Sequence, residues 1–364
     1  MNIGLIDADL LDSGTRHPNL ALMKISAWHK SKGHKTILLE EYSNLHDYDL
    51  VYISKVFSFT RIPIKFDDYN NLVLGGTGLP EFDKDLELEI EHHRPDYDLY
   101  LSFVKAKIDQ GYKRAKYSDY LDYSIGFTTR GCFRKCEFCV NKKYDRVLCH
   151  SPITEFIDPV KPYIYLWDDN FLAYKDWEEI LYKLNETKKP FQFRQGLDIR
   201  LMNDKKARLL AKSRYHGDYI FAFDHIEDKE IISKKLTIWK KYARKTTKLY
   251  VLCAYDSQDL KDIISVFERI KILMKFGCLP YIMRYEEYHN SEFKGMYIQL
   301  ARWCNQPRFF KKMSFRQFAD ANQKYHKNES TFCSTLNVLR KFENEYPKIA
   351  KKYFDIRYED LIKY

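Results

Sequence analysis

No apolar run in the 364 residues is long enough to span a bilayer, and the mean hydropathy is negative, which argues against a helical membrane protein. The first ten residues lack the unbroken apolar core of a secretory signal, because Asp7 and Asp9 interrupt them. The eight cysteines lack the spacing of a disulfide framework: three crowd into one short stretch and five are scattered. A cytoplasmic, reducing location is therefore expected. Negative charge is scarce in one part of the chain: of the net +10, the first 120 residues carry about −4 and the rest about +14. A positive field favours anionic partners such as nucleic acid, phosphorylated metabolites or an acidic electron donor, with plain solvation by lysine as the alternative. Aromatics are abundant, and 29 Tyr and 24 Phe supply material for a large core. The length suits two or three domains.

The crowded stretch runs from Thr129 to Asn141 and holds Cys132, Cys136 and Cys139. Three thiolates on one tight loop can converge on one metal centre, and they leave a four-iron cubane one ligand short. Cys-x3-Cys-x2-Cys with the aromatic Phe138 before the last cysteine resembles the signature of the radical S-adenosylmethionine superfamily. The resemblance implies that Cys132, Cys136 and Cys139 ligate a 4Fe-4S cluster whose open iron binds S-adenosylmethionine. It also implies reductive cleavage to a 5′-deoxyadenosyl radical and an electron donor such as flavodoxin or ferredoxin. The alternative for the same residues is a zinc knuckle with Cys149 or His150 as fourth ligand.

Before the loop, a strand over 1–6, a helix from Pro18 to Lys32 closed by Gly33, and strands over 35–39, 49–54 and 71–74 give an open parallel α/β pattern. Gly75, Gly76 and Gly78 admit either close approach to a ligand or a plain tight turn. This region, 1–115, resembles the small Rossmann-like domain that precedes the barrel in cobalamin-associated members of the superfamily. The Asp-x-His-x-x-Gly cobalamin-ligand motif is absent from it, so an axial histidine is unsupported and cobalamin stays open without support.

Six strand candidates follow, over 123–128, 163–167, 191–195, 219–223, 249–254 and 279–284, with helices expected over 175–188, 204–214, 228–243 and 258–276. Asn203 and Ser257 stand at cap positions. Regular alternation points to a parallel sheet closed or half closed by helices. The resemblance makes residues 120–286 a partial TIM-type (β/α)6 barrel, and 287–364 forms a helical, basic extension with capping-box spacing at Ser314 and Gln317.

Ligands of such barrels bind at the C-terminal strand ends. Reactive residues follow every expected strand there: Arg130 and the cysteine loop; Asp168, Asp169 and Asn170; Gln195, Gly196, Asp198 and Arg200; Asp224 and His225; Tyr255 and Asp256; Tyr285 and Glu286. By resemblance, Phe138 flanks the adenine, although core packing would explain its ring equally. Trp167 to Phe171 stands where the superfamily carries Gly-Gly-Glu. Asp168 or Asp169 would then meet the cofactor ammonium; the alternative is a helix cap. Arg200 would neutralise the cofactor carboxylate. Asp198 would take ribose hydroxyls or hold Arg200, and Gln195 and Asp224 complete the cofactor-binding set. His225, next to Asp224, is either a proton-transfer group or a structural pair.

Cys149, Cys253, Cys278, Cys304 and Cys333 form no second close cluster, and Cys253 and Cys278 read as core thiols. The expected activity is a radical enzyme acting on an unidentified substrate, anionic molecules and RNA among the candidates. The competing class is a non-catalytic zinc-knuckle protein binding nucleic acid through the basic C-terminal half.

Overall fold

The computed structural model describes residues 1–325 and 335–363, so Cys333 lies outside the described residues. Parallel strands buried on both faces need continuous apolar sequence. Among the described residues, twelve strands result. Four form an all-parallel sheet: β1 (Asn2–Asp7), β2 (Lys35–Leu38), β3 (Leu50–Ser54) and β4 (Leu72–Gly75), in the order β2-β1-β3-β4. Ile3, Leu5 and Ile6 of β1 are fully buried between layers.

The helix Leu20–Ser31 covers one face of this sheet. Its cap is Asn19, whose side chain accepts from Leu22 N, so Pro18 stands outside the first turn. Gly33 adopts the left-handed conformation expected after a helix end. The glycines after β4 lie in a tight turn, closed by Leu79 N donating to Gly76 O at 2.8 Å. A Cβ on Gly76 would run into the Lys55 carbonyl, and Gly78 N donates to that carbonyl at 3.0 Å. These glycines let the segment after β4 lie against the backbone after β3.

Beyond the first sheet, β5 (Tyr123–Gly126) leads into a short antiparallel pair, β6 (Thr129–Arg130) with β7 (Leu148–Cys149). Two parallel three-stranded sheets carry the rest of the strands. The first is β5, β8 (Tyr163–Leu166) and β9 (Phe191–Phe193), with β8 in the middle. The second is β10 (Tyr219–Ala222), β11 (Thr247–Cys253) and β12 (Leu279–Arg284), with β11 in the middle. Isolated parallel bridges, Phe191 to Tyr215 and Leu197 to Phe221, join the two sheets across the gap between β9 and β10. Apolar residues of β8 to β12 share one core, and Tyr123 and Ile125 of β5 pack in a separate cluster with Leu20 and Tyr165. The architecture is mixed α/β, with parallel sheets and many helices.

Helices return the chain between strands where the periodicity places them, at Trp177–Glu186, Asp204–Lys212, Lys229–Lys240 and Leu260–Lys275. Asn203 caps the second of these, accepting from Lys206 N at 2.9 Å. The cap of the last is Asp259 rather than Ser257: its carboxylate accepts from Lys261 N and Asp262 N, and Ser257 donates to it.

At the far edge, β12 exposes its backbone on one side. Asn305 pairs with it, accepting from Ile282 N at 2.7 Å and donating to Ile282 O at 3.1 Å. The helix Lys294–Cys304 packs on the same strand. The Ser314–Gln317 capping box forms reciprocally, and Phe315 and Phe318 enter the main core. Among the described residues, no helix is long and apolar enough to cross a membrane.

Candidate active site at the cysteine loop

The loop leaves β6 through Gly131, whose φ of +100° only glycine adopts readily. A Cβ there would also collide with the Arg146 carbonyl and the Tyr144 side chain on the returning half of the loop. Cys132, Cys136 and Cys139 are free and half-buried. Cys139 N donates to Cys136 O at 3.0 Å, closing a turn between them.

Carboxylates from neighbouring strand ends hold this loop. Asp168, fully buried beyond β8, accepts from Thr128 N (3.1 Å), Thr128 Oγ1 (2.5 Å), Thr129 N (2.6 Å) and Thr129 Oγ1 (2.6 Å). Burial pushes its carboxyl above the ordinary value, and the threonine donors oppose the rise. Asp169 accepts from Gly131 N at 2.6 Å and lies 3.6 Å from Arg130 Nε, an ion pair too long for a hydrogen bond. Neither carboxylate caps a helix: the short 3-10 turn Phe171–Ala173 has Asn170 at its cap position, without a capping bond. Both tie the entry of the cysteine loop to β8.

Asp198, beyond β9, binds two arginines. Arg134, from inside the cysteine loop, donates to it at 2.5 Å, and Arg200 Nε donates to it at 2.9 Å. Arg200 also reaches Asp228 at 2.8 Å. Arg134, Asp198, Arg200 and Asp228 thus form a chain of alternating charge from the loop across the ends of β9 and β10. Gln195 is exposed and makes no side-chain hydrogen bond among the described residues.

Each cysteine or its neighbour faces a different strand end. Cys132 Sγ accepts from Asn170 Nδ2 at 3.2 Å and from Arg134 N at 3.4 Å. Burial raises the Cys136 thiol, the Arg200 guanidinium pulls it down, and Cys139, Asp224 and Cys132 push it up. Phe138 packs its ring 6.0 Å from His225 and 5.5 Å, edge-on, from Tyr255. His225 Nδ1 lies 3.0 Å from Asp256. Asp224, His225, Tyr255, Asp256, Asp262 and Arg269 line a cavity of about 150 Å³ at the ends of β10 and β11. Asp224 is raised by burial, and Arg269 counters the rise. Tyr285 meets Tyr255 edge-on at 4.8 Å. Asp169, Asn170 and Asp198 thus bond to the loop, and His225 and Tyr255 pack against Phe138; Gln195 and Glu286 show no such contact among the described residues.

Sequence reasoning missed Arg269 as a site residue. Only 1% exposed, it donates from Nη1 to the carbonyls of Phe223, Asp224 and Leu252, at the ends of β10 and β11. The signal was an arginine at an apolar-face position of its helix, among Ile263, Val266, Ile270 and Leu273. Arg134 had no signal beyond its place between two cysteines. Arg302 bonds to Gln299 on its own helix.

His150 is not free to ligate a metal beside the cysteines. Its Nε2 lies 3.1 Å from Glu91 and its Nδ1 2.9 Å from Ser151 Oγ. Cys149 is exposed on β7. Among the described residues, no three His, Cys, Asp or Glu gather closely enough for a single metal ion. A cubane distributes its ligands over separate irons, so that criterion bears on zinc rather than on a cluster. Three half-buried thiols, two N–H donors on Cys132 and a guanidinium near Cys136 suit an anionic cluster.

No family model matches the chain, and no curated protein matches it. Solved structures of TsrM, a radical S-adenosylmethionine methyltransferase from Kitasatospora setae, are similar. One, with cobalamin and a 4Fe-4S cluster bound, aligns with a TM-score of 0.52 and 11% identity, covering 78% of this chain and 74% of that one. Another, with tryptophan substrate and the analogue aza-SAM bound, aligns with a TM-score of 0.51 and 11% identity, over 77% and 72% of the two chains. The zinc-knuckle alternative finds no support in these similarities. The chain shares the fold of these radical S-adenosylmethionine methyltransferase structures over about three quarters of its length.

Proposed function

We propose that the chain is a radical S-adenosylmethionine enzyme. Cys132, Cys136 and Cys139 would hold a 4Fe-4S cluster, and residues 120–286 would act as a partial (β/α)6 barrel around it. The N-terminal domain would span 1–115 and the helical extension 287–364. The observation that carries the reading is the three-thiol loop pinned by Asp168, Asp169 and Asp198 over parallel strand ends. When bound, the cluster supplies the electron that cleaves S-adenosylmethionine to a 5′-deoxyadenosyl radical.

The chain's own residues orient and shield. Asp169 offers an acceptor for the cofactor ammonium, since the oxygens of Asp168 are already taken by Thr128 and Thr129. Arg200 offers a cation for the cofactor carboxylate, and Phe138 a ring beside the adenine. Asp224 and the His225–Asp256 pair face the cavity as substrate-side groups.

Cobalamin stays open without support from an axial-histidine motif. At the C-terminal edge of the first sheet Asp9 accepts from Val56 N, Phe57 N and Thr60 Oγ1, and Asn19 donates to Ser54. No corrinoid step enters the reading. A reducing, cytoplasmic setting, a flavodoxin or ferredoxin donor and an anionic substrate such as RNA complete it.

Anaerobically reconstituted protein with dithionite should convert S-adenosylmethionine to 5′-deoxyadenosine, and Cys136→Ala should reduce the product at least a hundredfold. Fully loaded, folded protein that releases none would refute the assignment.

A further inference from the structure

We propose that Asn170 is a positioning residue that sets the reduction potential of the cluster, through the hydrogen bond from its Nδ2 to Cys132 Sγ. The inference rests on the cluster reading above. Asn170 is 3% exposed, so water does not compete for that bond. The residue is fixed on both sides: Asp169 holds Gly131 N, and Phe171 is fully buried and stacked on Phe193 at 4.3 Å.

The orientation of the amide follows from chemistry. Asn170 Oδ1 is buried and has no partner among the described residues, so only the nitrogen end is engaged. Turning the amide would set an oxygen lone pair against a thiolate sulfur. Of the three thiols, Cys132 alone receives side-chain donation among the described residues.

A donor on a ligating thiolate withdraws electron density from the metal centre. It stabilises the more negative, reduced state and raises the potential. Removing it should move the midpoint to more negative values. An ionised carboxylate in its place should move it further the same way.

The experiment is a redox titration followed by electron paramagnetic resonance, without S-adenosylmethionine, on native, Asn170→Leu and Asn170→Asp proteins of equal iron and sulfide content. The expected result is a negative shift in Asn170→Leu and a larger one in Asn170→Asp. An unchanged midpoint in Asn170→Leu with the cluster intact would overturn the assignment while leaving the enzyme reading standing. Native protein that assembles no cluster would instead overturn the enzyme reading. If the variants lose the cluster, pulsed resonance on reduced native protein grown with 15N-asparagine decides. A side-chain nitrogen coupling supports the bond, and its absence refutes it.

Discussion

Buried carboxylates do two different jobs in this chain. Asp168 collects four donors and serves as a joint between β8 and the cysteine loop. Asp7, 2% exposed at the end of β1, accepts from Tyr100 Oη at 2.8 Å and Leu10 N at 3.1 Å. Burial outweighs those two bonds, and with Asp9 close by its carboxyl is pushed up to about 6. Because the folded pKa lies above the unfolded one, the folded state binds the proton more tightly. Stability from this group is fully present below the ordinary value of 3.8 and is lost as pH rises through about 6. Asp7→Asn, which keeps the shape and removes the charge, should therefore stabilise the protein at pH 7.5 by up to about 3 kcal/mol. The gain should shrink as the pH is lowered. Urea unfolding of both proteins across that range checks it, and a gain independent of pH would contradict the account.

Strands and helices were the more legible level, because their signals are local. The parallel strands showed as apolar runs, and the helix Leu260–Lys275 showed in the spacing of Ile263, Val266, Ile270 and Leu273. Caps were less legible: Asp259 competes with the equally suitable Ser257, and a first-turn reading of Pro18 hid Asn19. The crowding of three cysteines on one loop was plain in the sequence. The groups that hold them, Thr128, Thr129 and Arg134, were not, because their partners come from other strands and only folding brings them together. Arg269 belongs to this second kind. Burial lowers its guanidinium from the ordinary value, and Asp262 and Asp224 counter that fall. Its removal would leave the carbonyls of Phe223, Asp224 and Leu252 without their donor. Arg269→Met should cost about 3–5 kcal/mol, the range for breaking a buried charged network. It should also loosen the cavity lined by Asp224 and His225. Denaturant unfolding checks the first effect, and amide hydrogen exchange at the ends of β10 and β11 checks the second.

At the scale of the whole molecule, the first sheet and the cysteine-bearing sheets are joined by bonds that neither side satisfies alone. Glu91 pairs with Lys24 at 2.9 Å and with His150 at 3.1 Å. Burial works to raise its carboxyl, but His150 and Lys24 hold it down at about 2. A depressed carboxyl gives stability above its ordinary value of 4.5 that is lost as pH falls towards about 2. Glu91→Gln should accordingly lose stability less steeply than the native chain over that window, measured by thermal unfolding.

The joint also has a neutral part. Tyr97 Oη donates to Phe156 O at 2.6 Å and accepts from Ile125 N at 2.9 Å, and Leu20 packs with Tyr123, Ile125 and Tyr165. Tyr97→Phe keeps the ring and its contact with Lys161 but leaves the Ile125 N–H without its acceptor and the Phe156 carbonyl without this donor. The cost should be about 2–4 kcal/mol, concentrated where the two parts meet. If those bonds couple the parts, the native chain melts in one calorimetric transition and Tyr97→Phe separates it into two. A variant that still melts as one unit, only at lower temperature, would mean that the packing around Leu20 carries the coupling and the hydroxyl merely adds to it.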